Sequence, residues 1–148
     1  MSILPSTNTD PIGAAALLGH ADTDELERFA ALEDAVWGKT TLSPAVIEAV
    51  RLHCARIRGC AFCSAVRVSA AIEDGLSEAL IANLDQPDAR NSFSAEQAAA
   101  LTLVDHFLRD PRRPDKKRSA EIAALLGPSG VMEVLLACCA FASADLRI

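Results

Sequence analysis

Cys60 and Cys63 are the residues of this 148-residue chain whose type and spacing best suit chemistry. In Cys60-Ala-Phe-Cys63 the sulfurs stand three residues apart, close enough to meet as a small disulfide once one of them is oxidised. The thiolate is the reactive form, and a thiol at a helix start has its pKa drawn below the free value of about 8.5. Gly59 reads as the stop of one helix and Cys60 as the opening of the next. Both sulfurs then fall in a first turn, near unpaired N–H groups and the positive end of the helix dipole. Arg67, four residues after Cys63, shares that helix face on this reading, and its guanidinium could hold a thiolate. Arg58 is a second such cation. Glu48 lies twelve residues before Cys60, in the preceding helix. Whether it reaches the thiols depends on how the two helices cross.

Blander readings of the same residues stay open. Free cysteine is among the most buried residue types, so the pair could be packing. A zinc site normally needs four ligands, and no second CxxC or CxxH pair exists, so no metal is expected. A thioredoxin-type motif expects a strand before it, where residues 43–57 read as helix. Glu48 could do no more than pair with Arg51 in a modest surface interaction. Arg67 could be a solvated residue paired with Asp74 or Glu73. His53 and His106 read as ordinary, partly buried histidines. His53 lies about 140° round the helix from Glu48 and does not share its face. Cys138 and Cys139 are adjacent, diverge by about 100° on a helix, and read as core or interface fillers.

The elements that must position these residues all read as helices. Asp22 and Glu25 suit a helix start, with Leu26, Phe29, Leu32 and Val36 at helical spacing and Gly38 as the stop. Ser43 suits an N-cap and Pro44 a first turn, followed by the apolar stripe Ile47, Val50, Cys54 and Ile57. A third helix is expected from about Cys60 to Asp74, stopped by Gly75. Leu76 to Leu84 is short and helical, and Gln86-Pro87-Asp88 with Asn91-Ser92 marks a polar loop. Ser94-Ala-Glu-Gln97 is a capping box that opens a helix to about Leu108. Arg109 to Arg118 is basic, holds two prolines and reads as a solvated connection. Residues 119–126 form a short helix stopped by Gly127-Pro128. The last helix carries Val131, Val134, Leu135, Cys138, Phe141 and Ala142, with Met132, Leu136 and Cys139 beside them. So wide an apolar face suggests a core helix or burial against a neighbouring subunit.

No segment shows sustained period-2 alternation, and no linker is long enough to split the chain. The expectation is an all-α bundle of six to eight helices, with residues 1–21 as an N-terminal arm and 22–148 as one domain. Apolar residues make up 51% of the chain and charged ones 23%, which suits a globular protein. A net charge of −6 argues against a nucleic-acid partner. The start, MSILPSTNTDPIG, has no basic region and is broken by Pro5 and Pro11, and the longest apolar run, Val134 to Ala142, is short for a membrane span. A cytoplasmic location without membrane contact is therefore expected. Five cysteines in such a chain point to thiols kept reduced.

The text EAVRLHCARIRGCAFCSAVRVSAAIEDGLSEALIANL, followed by FSAEQAAALTLVDHFLRD, resembles the alkylhydroperoxidase D family of the carboxymuconolactone decarboxylase-like superfamily. The family pattern is a Glu, eleven residues, C-x-x-C, and a His four residues after the second Cys. Here it reads Glu48, Cys60-Ala-Phe-Cys63 and Arg67. The resemblance covers about residues 22–145 and is strongest from 43 to 108. It implies a helical protein without metal or organic cofactor that assembles into trimers or hexamers. It implies that Cys63 attacks a hydroperoxide, that Cys60 resolves the sulfenic acid into a disulfide, and that Glu48 belongs to the proton relay. An external thiol reductant would restore the pair. Members that carry out decarboxylation lack the cysteine pair, which makes lactone chemistry the weaker implication. The chain departs from the pattern at Phe62 and Arg67, where the peroxidase members carry histidines. Arginine, with a pKa above about 12, cannot serve as a general base at neutral pH. A slow peroxidase, a disulfide exchanger, or a non-catalytic helical oligomer that serves as an interaction or redox-sensor module are the outcomes this departure allows.

Overall fold

The computed structural model describes residues 23–111 and 115–145. The expected arm over residues 1–21, the Asp22 helix start and residues 112–114 of the basic connection lie outside the described residues, as do the side chains of Leu26 and Phe29. Among the described residues there are seven α-helices, one 3-10 helix and no strand. The helices are α1 (Thr23–Gly38), α2 (Pro44–Arg58), α3 (Ala61–Ala65), α4 (Ser69–Glu73), α5 (Glu78–Ala82), α6 (Ala95–Arg109) and α7 (Lys116–Asp145), with the 3-10 turn Pro87–Ser92 before α6.

The axis of the bundle is α2. Every residue from Ala45 to Ala55 is buried, so this helix has no solvent face over that stretch. One side carries Val46, Ile47, Val50 and Cys54, which pack with Ala100 and Val104 of α6 and with Val134, Cys138 and Phe141 of α7. Another side carries Ala45, Ala49 and Leu52, packed with Ala71, Leu76, Ile81, Leu84 and Leu101. Each fully buried Val, Leu or Ile contributes about 1.5–3 kcal/mol relative to exposure. The alanines of α2 and α6 let the helices approach closely. Trp37 of α1 lies against Phe141 of α7, ring centroids 6.0 Å apart and tilted by 54°.

Local signals set most helix ends. Ser94 and Gln97 make both bonds of a capping box at the start of α6. Gly59 takes the left-handed conformation, φ 75°, ψ 19°. Its N–H donates to Arg56 O and the Cys60 N–H to Ala55 O, the bond pair of a Schellman stop. Ser43 occupies the N-cap of α2, yet its hydroxyl makes no capping bond. The Asp74 carboxylate, from beyond α4, accepts the Ala45 N–H at 3.0 Å instead.

Three expectations need correction. The expected helix from Cys60 to Asp74 is two short helices, with Val66 and Val68 in extended conformation between them. The short helix expected over residues 119–126 starts at Lys116 as the first part of α7, because Asp115 Oδ1 accepts the N–H groups of Lys117 and Arg118. Across Lys116–Ala144 the chain is also long and apolar enough, by length and composition only, to cross a membrane. Counting a single uninterrupted apolar run missed this. The helix is broken at Gly127, φ 69°, ψ 167°, and its later half packs one side, Val134, Ala137, Cys138, Ala140 and Phe141, in the core with α2 and α6.

Candidate functional site: a disulfide beside a buried ion pair

Cys60 and Cys63 are joined as a disulfide, with Cα atoms 5.4 Å apart. The Schellman stop at Gly59 turns the chain from α2 into α3, and Cys60 is the N-cap of α3. The Cys63 N–H donates to Cys60 Sγ at 3.1 Å, and Ser64 Oγ donates to Cys60 O at 2.8 Å. Both cysteines are buried, and Phe62 packs partly buried against them and Ala55. Helix α3 has only five residues. What acts on the sulfur is therefore the local N–H of Cys63 rather than a long helix's macrodipole.

Glu48 and Arg51 sit on α2 facing this segment. The sequence reading of a modest surface pair is overturned, because Glu48 is fully buried and Arg51 is 8% exposed. Arg51 Nε donates to Glu48 Oε2 at 2.7 Å, and Nη2 to Oε1 at 2.7 Å. The same guanidinium donates from Nη1 to Cys63 O and from Nη2 to Val66 O, both at 2.8 Å. Glu48 Oε1 also accepts the Val68 N–H at 3.2 Å. These bonds explain the broken helix. Backbone groups that a continuous helix would pair internally are satisfied by a carboxylate and a guanidinium on α2, which offsets the loss of helical hydrogen bonds. The β-branched Val66 and Val68 lower the cost of leaving the helical conformation. Glu48 thus meets Cys63 through Arg51 and the backbone.

Arg67 does not share a helix face with Cys63, because α3 ends at Ala65. Its Nε donates to Glu78 Oε1 at 2.7 Å and Nη2 to Oε2 at 3.2 Å, rather than to Asp74 or Glu73. Its Nη1 donates to Ser64 O at 2.7 Å and Val66 O at 2.9 Å. The Glu78 hydrogen bond raises the Arg67 pKa, against a lowering by burial. The same bond lowers that of Glu78. Arg67 is thus a permanent cation that ties α3 to the start of α5.

The two histidines lie apart from this constellation. His53 is fully buried on α2, with Nε2 2.8 Å from Asp105 Oδ1 and Nδ1 3.6 Å from Asp85 Oδ1. Arg90 donates to Asp105 Oδ2 at 2.8 Å and to Leu84 O at 2.7 Å. Burial pushes the Asp105 carboxyl up, but the hydrogen bonds and charges of His53 and Arg90 outweigh it and leave the group below the usual aspartate range. His106 lies in the last turn of α6, partly exposed. Among the described residues no group of three or more His, Cys, Asp or Glu side chains could hold a metal ion. Cys54, Cys138 and Cys139 form no disulfide; Cys54 and Cys138 are buried and Cys139 is exposed.

Arg51 is the site residue that sequence reasoning missed. The signal was present, since Glu48 and Arg51 stand three apart on the α2 face toward the CxxC turn. Their burial was hidden by the assumption that charged residues mark a solvent face. A family model described as Carboxymuconolactone decarboxylase family matches residues 23–105. No curated protein matches the chain.

Proposed function

The chain belongs to the carboxymuconolactone decarboxylase family, which includes the alkylhydroperoxidase D-like proteins, and within that family we propose that it is a thiol-dependent antioxidant protein. It works through Cys60 and Cys63, reducing hydroperoxides or exchanging disulfides. The carrying observation is the Cys60–Cys63 bond itself, a disulfide at a helix start beside the Glu48–Arg51 pair.

In the peroxidase reaction the Cys63 thiolate attacks the distal peroxide oxygen. The O–O bond breaks, an alcohol leaves with a proton, and Cys63 becomes a sulfenic acid. The Cys60 thiol condenses with it, releasing water and forming the disulfide. An external dithiol then returns two electrons and two protons. Cys63 is the nucleophile, Cys60 the resolving thiol, and Glu48 acts through Arg51 rather than on the peroxide. Arg67 contributes a fixed positive charge near the end of α3. No organic cofactor or metal takes part in this scheme.

Between the two chemistries, disulfide exchange is the better supported. Glu48 accepts from Arg51 and Val68, Arg67 is engaged with Glu78, and Phe62 stands where the peroxidase members carry a histidine. Proton delivery to a leaving alkoxide is then weak, whereas attack of a thiolate on a disulfide expels another thiolate and needs no such donor. The alternative is a non-catalytic helical oligomer, an interaction module or a redox sensor that oxidises without turnover.

We further propose a cytoplasmic homo-oligomer, a trimer or hexamer. Met132 and Leu136, four residues apart on α7, are 55% and 50% exposed, a face that a second copy could cover.

The deciding experiment treats the reduced protein with one equivalent of an alkyl hydroperoxide, quenches by alkylation and maps the thiols by mass spectrometry. A Cys60–Cys63 disulfide, absent in Cys63→Ser, is expected, forming slowly with the peroxide and faster when glutathione disulfide replaces it. Thiols that stay free for minutes with peroxide and with glutathione disulfide alike would leave the non-catalytic interaction-module reading.

A further inference from the structure

The guanidinium of Arg51 has five N–H donors in one plane. Four contacts use them: both oxygens of Glu48, the carbonyl of Cys63 and the carbonyl of Val66. Glu48 fixes that plane from the α2 side, and being fully buried it has no solvent to turn toward. The second cysteine, by contrast, rides on a five-residue helix that runs straight into extended chain. So short a helix cannot fix Cys63 by its own hydrogen bonds, since it ends before its last carbonyls find partners. Arg51 supplies those partners.

We propose that Arg51 is a positioning residue for the dithiol: by bonding the carbonyls of Cys63 and Val66 it keeps Cys63 at disulfide-forming distance from Cys60 after the bond is reduced. This rests on the reading of Cys60 and Cys63 as the working pair. The sulfur–sulfur bond holds the two Cα atoms at 5.4 Å when it is present. Once two glutathione thiols have cleaved it and left as glutathione disulfide, only the fold keeps the new thiols together. An anchor on the Cys63 carbonyl raises the effective concentration of one thiol at the other, and that favours ring closure. The hydrogen bonds of Arg51 go to the Glu48 carboxylate and to the carbonyls of Cys63 and Val66, so its influence is read in the thiol–disulfide equilibrium.

Arg51→Lys is the test. A lysine keeps the charge opposite Glu48, but three donors on one nitrogen cannot span four contacts on three groups. The equilibrium of the full-length protein with reduced and oxidised glutathione is expected to shift about tenfold toward the dithiol, a rise of about 30 mV in its potential. A loss of thermal stability alone would not move this constant. Val134→Ala, a core change on α7, serves as the stability control and should lower the melting temperature at unchanged constant. Should Arg51→Lys fail to fold, Glu48→Gln carries the test, with a shift of at least threefold in the same direction. Constants within twofold of the unaltered protein in the folded variants, or an equal shift in Val134→Ala, would overturn the proposal. The glutathione equilibrium needs no peroxide. A protein that equilibrates normally yet ignores hydroperoxides counts against the peroxidase reading and not against Arg51.

Discussion

Arg51 donates to the carbonyl of Cys63 across 2.8 Å while both of its Glu48 contacts stay at 2.7 Å. One buried cation therefore joins the central helix to the second cysteine. Replacing it with an apolar residue strands the Glu48 carboxylate in the interior. Arg51→Met is expected to cost about 3–5 kcal/mol, measured as a fall in the urea midpoint. Adding Glu48→Leu should recover part of that loss, since the stranded charge is gone. A double variant as unstable as the sum of the two singles would show the pair to be uncoupled.

Gly59 sets the direction in which the chain enters the dithiol turn. Its left-handed conformation is costly for any residue with a Cβ, although a Cβ placed there meets nothing within 4 Å. Gly59→Ala should therefore cost about 1–2 kcal/mol from backbone conformation alone. Thermal melts give the loss directly, and an unchanged midpoint would count against the left-handed assignment.

Asp105 links His53 of α2 to Arg90 of the 3-10 turn, and its pKa is lowered. A carboxylate whose folded pKa lies below its unfolded one contributes stability that is complete above the unfolded value, about 4. That contribution is lost as pH falls through the folded value. Asp105→Asn should lose it at neutral pH and show a flatter decline of stability below about pH 4. Chemical denaturation across pH 2 to 7 checks this; parallel curves for the two proteins would remove Asp105 from the acid response.

Asp74 does the capping that Ser43 was expected to do at the start of α2. Hydrogen bonds from Ser43 and then from the Ala45 N–H draw its pKa down. Its contribution too is present above the ordinary aspartate value and lost as pH falls through the lowered one. Asp74→Ala should cost about 1 kcal/mol, the usual worth of an N-cap. Ser43→Ala should cost less, a ranking that equilibrium unfolding of both variants would reverse if the hydroxyl were the true cap.

In the family pattern that the sequence resembles, the positions of Phe62 and Arg67 are histidines. If a missing proton donor limits peroxide reduction, Phe62→His with Arg67→His should raise the rate of peroxide-driven disulfide formation by about a hundredfold, the lower end of general acid–base catalysis. Stopped-flow alkylation would read it. No acceleration would mean that access to the buried sulfurs, not proton transfer, sets the rate.

The sequence by itself determined what neighbouring residues decide. Ser94 and Gln97 complete their box, Gly59 ends α2, and Gly127 breaks the last helix, because each signal acts within one turn of chain. The three-residue spacing of Cys60 and Cys63 likewise fits a disulfide within a single turn. Tertiary structure decided what spacing along the chain cannot encode. Val66 to Val68 leave the helix because Glu48 and Arg51, 15 to 20 residues earlier, take over their backbone bonds. Arg67 turns to Glu78, 11 residues on, once that helix face is gone. Glu48 and Arg51 gave α2 the look of a helix with a wet side. Glu48 and Arg51 are buried because they pair with each other and with backbone groups of residues 63–68, and His53 because Asp105 meets it from α6; a paired charge can be buried where an unpaired one cannot.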